Sequence, residues 1–139
     1  MKVKRAFLIL LLLTSTALAS EYIFSMKVNV KISESKIDIS PKSFNLNLQS
    51  GTEYVREITI KNYGESREIY FESFIEGETP EMMDVEFHDT FGNTIYSSNK
   101  LTIPAGSSDS PAEVKVNVHI SADESANGSY TIYIQAKET

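Results

Sequence analysis

Residues 113–120 read EVKVNVHI, and strict alternation of this kind constrains the fold more than any other feature of the chain. Val114, Val116, Val118 and Ile120 share one parity; Lys115, Asn117 and His119 share the other. Successive side chains of a strand point to opposite faces, so the pattern fits a strand with one face in a core and the other in water. Related patterns recur along the chain. MKVNVKI, from residue 26, sets Val28, Val30 and Ile32 against Lys27, Asn29 and Lys31. KIDIS adds Ile37 and Ile39, and FNLNL sets Phe44, Leu46 and Leu48 against Asn45 and Asn47. EYVREITIKN points Ile58 and Ile60 inward, DVEFHD points Val85 and Phe87 inward, and SYTIYIQA aligns Tyr130, Ile132, Ile134 and Ala136. REIYFESFI is apolar on both faces and predicts a central strand. TIYSSNKLTI predicts two short pieces on either side of Ser98-Asn99.

Between these segments stand turn signals: Ser40-Pro41-Lys42, Gln49-Ser50-Gly51-Thr52, Asn62-Tyr63-Gly64 and Asn127-Gly128. No segment carries a helical period; ETPEMMDV is short and interrupted by Pro80. Its Met82 and Met83 read as loop anchors. Short strands at even spacing with polar turns predict an all-β antiparallel sandwich of about seven to nine strands.

The first nineteen residues stand apart. Lys2, Lys4 and Arg5 precede an apolar run at residues 6–13, and Ala17-Leu18-Ala19 provides an A-x-A cleavage signal before Ser20. This is the layout of a secretory signal peptide. A retained anchor would need ~20 apolar residues, and Thr14, Ser15 and Thr16 interrupt the run. A prepilin-type cut near Arg5-Ala6 is the third alternative, again with a short helix. The predicted organisation is therefore signal peptide at 1–19, an N-terminal arm or first strand at 20–32, and the sandwich at 33–139. After cleavage the chain is expected outside the cell or on its surface, with no membrane attachment.

Charge and cysteine content narrow the function classes. The chain has thirteen basic and nineteen acidic residues; three of the basic ones and none of the acidic ones fall in residues 1–19, so residues 20–139 carry a net −9. Nucleic acid is not expected as a partner for such a surface. With no cysteine, thiol catalysis, disulfides and cysteine metal sites are excluded, and stability must come from core and ladder. No nucleophile with an oriented base is visible, and no Gly-rich loop opens a helix. The chain reads as a non-enzyme without a cofactor. Asp84, Glu86 and His88 share a strand face and are weak candidates for a divalent ion; outward polar residues on a half-exposed strand account for them equally. Asn127-Gly128-Ser129 is a glycosylation sequon and a turn pair at once.

ISPKSFNLNLQSGTEYVREITIKNYGESREIYF resembles the first half of prokaryotic extracellular immunoglobulin-like domains, and ANGSYTIYI resembles their Gly-x-Tyr strand. The resemblance spans about residues 28 to 136 and lies at the level of fold. It implies surface proteins, adhesion modules, filament subunits or pilus chaperones, and brings no catalytic residues. It also implies that Tyr130 begins strand F, with its hydroxyl returning to the corner at residues 121–128; an ordinary cross-strand aromatic is the other reading. Residues 114–120 would then be strand E, and a strand G would have to follow Ala136.

A sandwich lacking that strand leaves an apolar groove beside an unpaired edge at Tyr130, Ile132, Ile134 and Ala136. Residues 21–32 could fill it, because Tyr22, Phe24, Met26, Val28, Val30 and Ile32 share one parity. They would do so as strand A of the same chain or as a donor strand to the next molecule. Residues 27–42 hold four lysines against two acids, and residues 65–89 hold nine acids against Arg67. Arm and body would attract each other head to tail. The expected roles are a filament subunit assembling by donor-strand complementation, a monomeric binding or adhesion module, or, less readily in a single domain, a pilus-chaperone-like protein. The partner is expected to be the chain itself or another cell-surface protein.

Overall fold

A computed structural model describes residues 23–32 and 36–138. They form nine strands: β1 (Ile23–Ile32), β2 (Ile37–Ser40), β3 (Ser43–Gln49), β4 (Glu53–Asn62), β5 (Arg67–Glu76), β6 (Met83–His88), β7 (Leu101–Ile103), β8 (Ala112–Ala122) and β9 (Ser129–Lys137). A single 3-10 turn, Pro80–Met82, precedes β6. The predicted signal peptide at 1–19 and Tyr22 lie outside the described residues.

The strands make two sheets, with orders β3-β1-β9-β5-β7 and β2-β4-β8-β6. Each buries one parity. In β8, Val116, Val118, Ile120 and Ala122 are buried, and in β9 Tyr130, Ile132, Ile134 and Ala136 are. Their counterparts Ile58, Ile60, Ile69, Phe87 and Ile103 complete a core between the sheets. Phe71 of β5 stacks on Phe87 of β6 with centroids 4.9 Å apart, tying one sheet to the other. Burying such side chains stabilises by about 1.5–3 kcal/mol each, which is how a cysteine-free domain of this size holds together.

Three expectations are revised. The sandwich is not wholly antiparallel, because β1 and β9 run parallel. The strand REIYFESFI lies inside its sheet, between β9 and β7, but it is only partly covered: β7 spans only Arg67 to Ile69 of β5, and Phe74 further along is 63% exposed. Its second apolar face therefore looks partly to solvent instead of into another layer. Met83 begins strand β6 and is buried, so it belongs to the core and not to the loop.

Among the described residues, Asn62, at the end of β4, is the one polar residue with a buried side chain. Its Nδ2 donates to Glu65 O (2.6 Å) and Pro104 O (2.9 Å), and its Oδ1 accepts from Gly64 N–H (3.0 Å). A buried amide is tolerated only when its bonds are made; here they tie two loops to one strand end. Gly106 packs so closely against Asn62 O and Ala112 N that a β-carbon has no room.

Candidate assembly interface

The candidate site is the slot between β3 and β9, and β1 occupies it. β1 pairs with β3 antiparallel, from Ile23↔Gln49 to Asn29↔Ser43, and with β9 parallel, from Ser25↔Ser129 to Ile32↔Ala136. β9 is thus not an edge strand: β5 flanks its other side. The groove expected beside Tyr130, Ile132, Ile134 and Ala136 is filled, in this structure, by residues of the same chain.

The register matches the two rows position by position. Met26, Val28, Val30 and Ile32 stand opposite Tyr130, Ile132, Ile134 and Ala136 on β9. Phe24, Met26 and Val28 stand opposite Leu48, Leu46 and Phe44 on β3. Val28 and Val30 are buried, as are Phe44 and Leu48. A shift of one residue would turn Val28 and Val30 to water, so a buried face of this kind specifies register strongly. Where β1 passes the start of β3, Val30 N–H donates to Lys42 O (2.9 Å). Arg56 of β4 places its guanidinium 4.8 Å from the ring centre of Phe44 and covers this side of the core.

At the start of β9, the Tyr130 hydroxyl accepts the backbone N–H of Asn127 (3.3 Å) and hydrogen-bonds Thr79 Oγ1 (2.6 Å). The ring is buried and reaches back to the corner three residues upstream, while the hydroxyl also holds the loop before β6. At the other end of β9, Lys137 pairs with Glu72 (2.7 Å) and Arg67 with Glu138 (2.8 Å). The hydrogen bond and charge of Glu72 raise the Lys137 pKa above its ordinary value. Ion pairs at the surface are screened by water and add little; these trim the β5–β9 ladder and do not create it.

The remaining predicted residues lie elsewhere. Asp84 and Glu86 are exposed on β6, the edge of the second sheet. Glu86 Oε1 lies 3.1 Å from His88 Nε2. Among the described residues no group of three or more His, Cys, Asp or Glu side chains is placed to share a metal ion. His119, which has no sequence motif linking it to His88, is brought beside it by the β6–β8 ladder: the rings are 4.2 Å apart, and His119 Nδ1 lies 3.1 Å from Glu53 Oε2. Asn127 is exposed in the loop before β9. Sequence reasoning missed the β1–β3 ladder and the Tyr130–Thr79 contact, both made between residues far apart in the chain.

No protein-family model matches the chain. A protein of Archaeoglobus fulgidus, described as an uncharacterized protein, is 47% identical over 131 residues, which cover 94% of this chain and 94% of the relative. The chain belongs to the family of this archaeal protein. With 131 of 139 residues in the match, eight lie outside it, so β1 falls within the family's shared region whichever end those eight occupy.

Proposed function

We propose that this family member is a secreted, non-enzymatic cell-surface protein with an immunoglobulin-like sandwich, and that it builds filaments by donating β1 of one subunit to the β3–β9 slot of the next. The observation that carries the reading is the pairing of β1. Its ladder and hydrogen-bonding partners are residues 42–49 and 129–136, none nearer than twelve positions along the chain. A strand that forms no tight hairpin with either partner can be replaced by the same strand of another copy with its ladder contacts kept, which is the chemistry of strand exchange. Its position just after a signal-peptide pattern leaves it at the start of the exported chain. If β1 were withdrawn, β3 and β9 would each expose an unpaired edge above buried Ile132 and Ile134, a slot that selects an alternating apolar strand. Exchange that does not close in a ring propagates as a fibre.

A monomeric binding or adhesion module is the second reading, favoured by the seating of β1 within its own chain. A disulfide trap separates the two. Lys27 and Asn45 are opposed on β1 and β3, and both are exposed. Antiparallel partners fall within disulfide reach, and the chain has no other cysteine. In Lys27→Cys/Asn45→Cys, donor-strand assembly predicts a ladder of covalent multimers on a non-reducing gel, together with filaments in negative stain. Crosslinks confined to single chains at every concentration would sink the filament reading in favour of the monomer.

A further inference from the structure

We propose that Asn127 carries an N-linked glycan. The inference rests on the exported, cell-surface reading above and goes beyond it by naming a modification site. Asn127-Gly128-Ser129 has the acceptor pattern of N-glycosylation, and the pattern occurs once in the chain. On sequence alone the pair is explained as a turn. The structure adds where the amide stands.

Asn127 lies in the loop between β8 and β9 and is exposed, as are Gly128 and Ser129. Its backbone is held from below by the Tyr130 hydroxyl, so the side chain is presented outward from a fixed point. Its Nδ2 makes one long bond, to Ser125 O at 3.3 Å. Gly128 has φ +88°, and nothing lies within 4 Å of where a β-carbon would stand. The acceptor nitrogen is thus at the surface, and the residue after it leaves open space for an enzyme or a sugar.

The chemistry balances with one co-reactant, a lipid-diphosphate-linked oligosaccharide. A bond forms between Nδ2 and the anomeric carbon of the first sugar. The bond from that carbon to the lipid diphosphate breaks, the diphosphate leaves with the bonding pair, and one Nδ2 proton passes to base. The remaining N–H can keep the bond to Ser125 O, so modification does not require the loop to refold. A hollow of ≈ 350 Å³ begins at Ser129, two residues on, and is lined also by Thr131, Lys27, Asn45, Asn47, Leu46 and Tyr130. Its hydroxyl, amide and ammonium groups can hydrogen-bond the hydroxyls of a sugar that reaches it from Asn127.

The test uses protein isolated from the cells that make it. Trypsin releases residues 116–137 as one peptide, because Lys115 and Lys137 are successive basic residues. Mass spectrometry should find this peptide shifted by the mass of an oligosaccharide, with loss of the shift in both Asn127→Gln and Ser129→Ala. The Ser129 variant keeps the amide and removes only the hydroxyl that the transferase reads. The N-terminal peptide of the same digest reports whether the leader has been removed. A cleaved leader with an unshifted 116–137 peptide overturns the glycan and leaves the export reading standing. An intact leader with an unshifted peptide overturns both.

Discussion

Gly77 lies directly against the ring of Tyr130: a β-carbon at residue 77 would stand 2.8 Å from Cδ1 of the ring. The loop after β5 can pass over the start of β9 only because residue 77 has no side chain. Gly77→Ala must push the ring and with it the bonds to Asn127 and Thr79. Overpacking of this kind costs about 1–3 kcal/mol, and the loss should appear as a lower urea midpoint. Tyr130→Phe keeps the ring and removes the hydroxyl, with an expected loss of about 1 kcal/mol. If the phenylalanine variant lost more than the alanine variant, the ring contact would not be the main element.

Asn62 is expected to be the least replaceable polar residue of the fold. Asn62→Ala leaves Gly64 N–H, Glu65 O and Pro104 O without the partner they have now. Each buried group left unsatisfied costs about 1–3 kcal/mol, so for three groups a loss of about 3 kcal/mol or more is expected in denaturant unfolding. Gly106→Ala, next to it, should prevent native folding, read as loss of the cooperative transition.

Val28→Asp separates β1 docking from the rest of the domain. Val28 is fully buried opposite Ile132, itself fully buried, and an unpaired carboxylate there is expensive. The strand should leave the slot and become cleavable by trypsin after Lys27 and Lys31, residues whose backbone is laddered in the intact fold. Val55→Ala, at a position 47% exposed, should change stability by less than about 0.5 kcal/mol and leave β1 protected. Equal protection of β1 in both variants would count against a single buried seat for the strand.

The loop carrying Phe91 should be the first part to loosen in acid. Asp89 Oδ1 accepts the N–H groups of Phe91 (2.9 Å) and Asn93 (2.8 Å), and Oδ2 accepts Asn93 Nδ2 (3.0 Å). Bonds from Asn93 above all hold its carboxyl below the ordinary value of 3.8. A folded-state pKa below the unfolded one means the stabilisation is present above the ordinary value and is lost as pH falls through the folded value. Amide exchange at Phe91 and Asn93 should therefore accelerate below pH 3.8 relative to the β8 core. Asp89→Ala should show the same loosening at neutral pH.

Much of the sandwich was legible because period-2 alternation is local. The parity of β8 and β9, the inward Ile58 and Ile60 of β4, and the turns at Gly51 and Gly128 follow from residues within a few positions of each other. The apolar residues of β5 fall on both parities and predict cover on both faces, but composition carries no record of how short its neighbour β7 is. The β1 row was legible as a face but not as a partner. Ladder pairing joins residues ~100 apart, and nothing local distinguishes pairing to β9 of the same chain from pairing to another copy. The His88–His119 contact was hidden for the same reason.

Single residues and their alternation specify which side chains seek the core, where the chain turns, and that no thiol or disulfide takes part. Packing in three dimensions is what places β1 between β3 and β9, makes its run along β9 parallel, and locks Tyr130 against Gly77, Thr79 and Asn127. Strand order and register are set by the joint fit of two remote apolar rows, a condition that no one segment carries.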